Sequence, residues 1–299
     1  RGRVSPHRAC AARAPWENGP PPTAQVLPLR STRTPRLVRA VRWTRLLMHV
    51  AGGFLTLRFL WPRADIARRH EIAVRWARDL LAILGIRVQC EGRPPPRGRH
   101  GAMIAANHVS WADIFAIASV RHTRFIAKSE IRDWPLAGWL AERSGTIFIR
   151  RARRHDTARI NALVHDALAG GECVGLFPEG TTTEGDRLLK FHSSLFEPAV
   201  ANQARVYPAA VRYEHADGSP LKAAAYVGDL SFAQSLGLVI RTRETVVRVA
   251  FAEPVDPAGL TRHEVAAEAQ RRNRRLGLPG GVGVVGPVLD GAAAASAEM

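Results

Sequence analysis

The sequence predicts an α/β fold, a mixed sheet flanked by helices, preceded by an amino-terminal pair of membrane-associating helices. Three observations predict it. Short apolar runs of strand length, such as Met103 to Ala106 and Cys173 to Phe177, alternate with segments of helical period. Hydrophobic residues make up 46% of the 299, enough to build a sizeable core. Ahead of the first strand, a polybasic segment leads directly into an apolar one, as in helices that lie at a membrane surface.

The formal net charge of +17 points to an anionic partner, and a membrane surface, a phosphorylated substrate and nucleic acid all qualify. Lysine occurs only at 128, 190 and 222, so arginine supplies nearly all of the 43 basic residues, a skew that genome composition also produces. Zinc-finger spacing and interleaved Lys/Arg and aromatic residues are missing, which argues against nucleic acid. Cys10, Cys90 and Cys173 are odd in number and far apart, so neither a disulfide framework nor a metal site is expected.

Residues 1–35 are rich in Arg, Pro and Ala with Glu17 as their only acid, and read as a disordered basic extension. Arg30, Arg33, Arg36, Arg39, Arg42 and Arg45 then recur every third residue and run into the apolar stretch Leu46 to Leu57. Its 12 residues make about 18 Å of helix against roughly 30 Å of hydrocarbon, so a peripheral or half-inserted helix is expected, not a span. A second helix, about Asp65 to Leu84, carries Ile72, Trp76, Leu80 and Leu84 at helical spacing. Trp43, Trp61 and Trp76 fall near the helix edges, as interface anchors or as core residues. Ile86 to Cys90 is the first expected strand, and Gly92 to Arg99 a loop.

The apolar run Met103 to Ala106 delivers the chain into Asn107-His108-Val109-Ser110-Trp111-Ala112-Asp113, with a helix from Ile114 to Val120 beyond and Ser110 or Asp113 available to cap it. On one continuous helix, positions five apart diverge by about 140°. His108 and Asp113 therefore meet only if His108 lies ahead of the helix. An imidazole held by a carboxylate is the base and orienter of a hydrolase triad, and needs no serine when the substrate brings its own hydroxyl.

Arg124 to Ala127 reads as a strand, with Lys128 at its end as a candidate substrate-binding cation, and short helical segments follow through Glu142. Gly145 to Arg150 is an alternating apolar strand ending on Arg150, Arg151, Arg153 and Arg154. The guanidinium at such a strand end suits a phosphate, and a solvated cluster is the bland account of the last three. A helix over about 155–169 leads to the strand Cys173 to Phe177 and the turn Pro178-Glu179-Gly180-Thr181, where Gly180 and the threonines offer amides and hydroxyls to an anion. Glu179 repels a phosphate, so we expect it to accept a hydrogen bond from a substrate hydroxyl or from the arginines. Arg205 to Val211, Ala224 to Val227 and Thr245 to Ala250 complete the expected sheet, with a helix near 231–238.

Four of these stretches, in order, resemble the lysophospholipid acyltransferase family that includes bacterial 1-acylglycerol-3-phosphate acyltransferases. They are His108-x4-Asp113, Gly145 to Arg150, Phe177-Pro178-Glu179-Gly180-Thr181 and Val206-x-Pro208. The resemblance covers roughly 85–255 and implies a glycerol-3-phosphate acyltransferase-like fold on the cytoplasmic face of the inner membrane. It implies that His108 is the general base and Asp113 its partner, that Arg150, Glu179 and Gly180, with Thr181 and Lys128 beside them, bind the acceptor, and that Val206 and Pro208 line the acyl side. The implied reaction moves an acyl chain from acyl-CoA or acyl carrier protein to a lysophospholipid hydroxyl. No other cofactor and no covalent enzyme intermediate is expected. The implied acceptor is 1-acylglycerol-3-phosphate. Lys190-Phe191-His192-Ser193-Ser194 departs from the family's pattern, which keeps a lyso-ornithine lipid or another lysophospholipid open. The expected layout is a basic extension at 1–35, membrane-associating helices at 36–85, a catalytic domain at 86–258 and a partly disordered tail at 259–299.

Overall fold

The computed structural model describes residues 34–98, 100–133, 137–149 and 154–277. The expectations for residues 1–33, for Arg150, Arg151 and Arg153 and for the chain beyond 277 lie outside them.

Helix α1 (Arg36–Leu55) opens the described chain. Arg36, Arg39, Arg42 and Arg45 and the apolar run from Leu46 to Leu55 are thus successive turns of one helix. A π turn (Thr56–Leu60) and a short 3-10 turn (Trp61–Arg63) lead to α2 (Ile66–Leu84). Asp65 caps α2 by accepting the Arg68 N–H at 2.7 Å, and Gly85 ends it at φ 78°, a conformation that favours glycine. No helix among the described residues is long and apolar enough to cross a membrane.

After β1 (Ile86–Glu91) and β2 (Ala102–Ala106) come α3 (Ala112–Val120), β3 (Arg124–Lys128), α4 (Ala137–Arg143) and β4 (Ile147–Ile149). The chain continues through α5 (Arg154–Ala169), β5 (Cys173–Leu176), α6 (Glu197–Ala201) and β6 (Arg205–Glu214), then α7 (Phe232–Arg241), β7 (Thr245–Phe251) and α8 (Arg262–Arg275). The seven strands form one sheet in the order β1-β7-β6-β2-β5-β3-β4. Every neighbouring pair is parallel except β6 with β7, so the sheet is mixed, as the sequence predicts.

Alternation along the strands divides the core between two faces. Ile104, Ala106, Tyr207, Ala209, Val211 and Tyr213 pack with buried residues of α2, α3 and α7. Met103, Ala105, Val174, Leu176 and Val206 pack with those of α5, α6 and α8. All five residues of β2 are buried, as befits a strand covered on both faces.

Two segments differ from the sequence expectation. Residues 222–224 form a 3-10 turn, and the chain through Val227 is not a strand; Tyr226 instead donates its N–H to the Val109 carbonyl at 2.8 Å. A four-residue apolar run, Ala224 to Val227, does not reveal whether it pairs in a sheet or packs as a brace. The expected tail contains α8. Thr261 and Glu264 form a capping box at its start, and Val265, Ala266, Ala269 and Asn273 are buried against the sheet. Its arginine-rich outward face masks that buried stripe in the sequence.

Candidate active site

The carboxyl end of β2 is where the chain must turn, and Asn107 makes it do so. Its side chain mimics a strand: Nδ2 donates to the Val211 carbonyl at 3.1 Å and Oδ1 accepts the Val211 N–H at 2.7 Å. This pair takes over where the β2–β6 ladder stops, after Ala106 opposite Ala209. His108 is therefore presented ahead of α3.

His108 Nδ1 lies 2.8 Å from Asp113 Oδ2. The imidazole is stacked on Phe177 with ring centres 3.9 Å apart and planes 10° from parallel, and Phe177 in turn lies 5.7 Å from Phe125. The ring is thus held on one nitrogen and one face, with its side chain 20% exposed.

Asp113 is fully buried in the first turn of α3. Its Oδ2 also accepts the N–H of Val109 at 2.7 Å and of Ser110 at 2.9 Å, and its Oδ1 accepts the Tyr213 hydroxyl at 2.6 Å. The carboxylate thus reaches back over the loop, whereas Ser110 makes no side-chain cap. Tyr213 is buried, and burial followed by the charge of Asp113 pushes its phenol well above the ordinary tyrosine value. It stays a donor at any working pH. Nothing in the sequence marks it, because it lies 100 positions from its partner on an ordinary apolar strand.

Glu179 is held by main-chain donors. Its Oε1 accepts the His108 N–H at 3.0 Å and its Oε2 the Leu189 N–H at 2.7 Å. Through these main-chain donors Glu179 joins its own turn to the His108 loop. Burial raises its carboxyl above the usual range, and the two amide bonds and the neighbouring His108 pull the other way. Gly180, at φ 75°, donates its N–H to the Phe177 carbonyl at 3.1 Å. Thr181 is exposed beside it. Thr182 donates its hydroxyl to the Tyr226 carbonyl, and the Thr183 N–H bonds the His108 carbonyl at 2.8 Å.

Val206 and Pro208, expected on the acyl side, lie inside the sheet. Val206 is wholly buried in the core on the α5 and α8 side of the sheet, opposite Met103, and Pro208 is buried opposite Ala105. Strand alternation turns both away from the face that carries Tyr213 and Asp113. Lys128 ends β3 in register with Ile149, the last residue of β4. Among the described residues, no group of three His, Cys, Asp or Glu is placed to hold a metal ion.

The arrangement can remove a proton: a tethered imidazole stands at the carboxyl end of a parallel strand, oriented by a buried carboxylate. Residues 87–212 match the family model described as Acyltransferase. The chain is 38% identical over 245 residues to the lyso-ornithine lipid O-acyltransferase of Pseudomonas aeruginosa, a match spanning 80% of this chain and 93% of that one. It is 37% identical over 190 residues to the 1-acyl-sn-glycerol-3-phosphate acyltransferase of Neisseria meningitidis, covering 64% of this chain and 74% of the relative. Its fold is similar to the crystal structure of the 1-acyl-sn-glycerophosphate acyltransferase PlsC of Thermotoga maritima, at a TM-score of 0.60 and 22% identity over 80% of this chain and 95% of that one. With a relative matched across nearly its whole length, the chain belongs to the acyltransferase family and is itself an acyltransferase.

Proposed function

We propose that this acyltransferase esterifies the free hydroxyl of a lysolipid at a bilayer surface, with acyl-CoA or acyl carrier protein as the donor. His108 Nε2 accepts the proton of the acceptor hydroxyl as its oxygen attacks the thioester carbonyl carbon. The carbon–oxygen bond forms, the carbon–sulfur bond breaks, and the proton passes from His108 to the leaving thiolate. Asp113 holds Nδ1 in the protonated tautomer throughout. The observation that carries this reading is the 2.8 Å His108–Asp113 bond within a carboxylate fixed by three further donors, which leaves Nε2 as the nitrogen available to substrate.

Arg150, directly after β4, and Lys128, at the end of the paired β3, supply cations for the acceptor's anionic group. The acceptor itself is a lyso-ornithine lipid in the reading favoured by the 93% coverage of the Pseudomonas relative. The Neisseria match favours a second reading, 1-acylglycerol-3-phosphate. A carboxylate or a phosphate would serve these cations alike.

The segment 36–85 docks peripherally on the cytoplasmic face of the inner membrane, ahead of a catalytic domain that begins at about 86. What supports this is the outward face of α1 and the turn after it, where Leu37, Val41, Leu47, Met48, Leu55 and Phe59 are exposed among arginines. A panel of lyso-ornithine lipid, lysophosphatidic acid and other lysophospholipids with labelled acyl-CoA tests the acceptor. Turnover on lyso-ornithine lipid at least tenfold above the others is expected; the reverse ratio favours the phosphate acceptor, and no transfer to any of them contradicts the proposal.

A further inference from the structure

We propose that the pocket between α1 and α7 binds the phosphate of an anionic bilayer phospholipid, at a place separate from the reaction centre. The pocket is a half-open depression of about 470 Å³ lined by Arg36, Arg39 and Trp43 of α1 and by Ala233, Gly237, Ile240 and Arg241 of α7. No residue of the His108–Asp113 loop lines it. The proposal rests on the reading that α1 lies on a bilayer.

The walls are fixed. Arg42 donates from Nη1 to the carbonyls of Ile240 at 3.0 Å and Thr242 at 2.7 Å, and from Nη2 to that of Arg243 at 2.8 Å. Thr34 donates its N–H and its hydroxyl to the Arg241 carbonyl at 2.8 and 3.0 Å. These bonds lock the amino end of α1 to the carboxyl end of α7. They also occupy the terminal carbonyls of α7 that would otherwise draw the pocket arginines.

Among the described residues, no carboxylate pairs with Arg36, Arg39 or Arg241. Three like charges around one opening repel each other, and an anion seated among them removes that cost. The planar guanidinium fork suits a phosphate. Gly237 keeps the space open, since a side chain added there meets no atom within 4 Å.

The surroundings select a lipid among phosphate-bearing molecules. At 100° per residue, Arg36, Trp43 and Leu47 lie within about 40° of one another on α1, so the exposed Leu47 continues the line of the pocket, whereas Leu37, Val41, Met48 and Leu55 lie about 120–160° around the helix from Trp43. A headgroup in the pocket therefore leaves its acyl chains beside the exposed Leu47, one turn beyond Trp43, and Leu238, next to Gly237, with the half-exposed indole of Trp43 at headgroup depth.

The test uses the full chain and its Gly237→Gln and Arg36→Gln/Arg39→Gln/Arg241→Gln variants. Gly237→Gln fills the pocket without removing a charge, and the arginine variant empties it of charge. Co-sedimentation is measured with vesicles of phosphatidylcholine alone and with added phosphatidylglycerol. Both variants are expected to lose at least fivefold of the binding that phosphatidylglycerol adds, with turnover on a micellar acceptor unchanged. Dihexanoyl phosphatidylglycerol below its micelle concentration is expected to bind the unaltered protein saturably, Gly237→Gln at least fivefold more weakly, and inorganic phosphate more weakly than the lipid does. Sedimentation of Gly237→Gln equal to that of the unaltered chain overturns the pocket, as does equal affinity for inorganic phosphate and the short-chain lipid. Failure of the unaltered protein to bind either vesicle overturns the bilayer reading itself.

Discussion

Asp113 receives four hydrogen bonds on two oxygens while shut off from solvent, and each donor comes from a different place in the loop or the sheet. Removing one donor leaves a buried carboxylate partly unsatisfied, which costs about 1–2 kcal/mol. Tyr213→Phe is therefore expected to lower kcat by roughly 5- to 30-fold with KM little changed, since the loss falls on the orientation of the base. Steady-state kinetics check it, and an unchanged kcat would show that Asp113 is held well enough without the phenol. Glu179 answers to the same logic in a different way. Glu179→Gln keeps the shape but sets an amide NH2 against one of two backbone N–H donors, so a loss of about 2 kcal/mol in unfolding free energy is expected in urea titration. At this scale the sequence is informative about His108 and Asp113, whose spacing lets them meet only through a loop ahead of the helix. It is silent about Tyr213, Asn107 and the true partners of Glu179, because each acts across the sheet through contacts that no local spacing encodes.

Helices α2 and α3 meet at a pair of stacked imidazoles, His70 of α2 and His122 after α3, with ring centres 4.0 Å apart. Burial, then His70, Arg121 and Arg124, lowers His122 to about 3; burial, then Arg121, also lowers His70, against a smaller pull from Glu172. A histidine depressed in the folded state takes up its proton first in the unfolded chain. Stability is thus kept above about pH 6.5 and lost as pH falls from there toward about 3, at about 1 kcal/mol per pH unit for His122 alone. The melting temperature should fall between pH 7.5 and 5, and His122→Asn should flatten that dependence. Helix α8 makes a second element-scale prediction. Asn273 is buried and donates to the Ala209 carbonyl on β6, so Asn273→Ala should cost about 1–3 kcal/mol in the same titration. The elements were legible where periodicity was strong, as in α2 and β2. They were obscured where charge dominated the composition, as in α8, and where an apolar run was too short to classify, as in Ala224 to Val227.

Over the whole molecule, the +17 charge and the apolar face of α1 belong together, since both are surface features that a folded core does not use. Leu47 and Met48 are each 67% exposed, so Leu47→Glu/Met48→Glu should leave the melting temperature within a degree or two and reduce vesicle binding by tenfold or more. The mixed sheet was legible because its strands are separate apolar runs with helical crossovers between them. The division of its faces was not, and that division sets Val206 and Pro208 on the face opposite Tyr213. The central claim is that His108 removes the proton of the attacking hydroxyl, and single-turnover acyl transfer by His108→Ala measures it most directly. A fall of about a thousandfold in the transfer step, with melting temperature and vesicle binding retained, is the predicted result. A transfer rate within tenfold of the unaltered protein would contradict it.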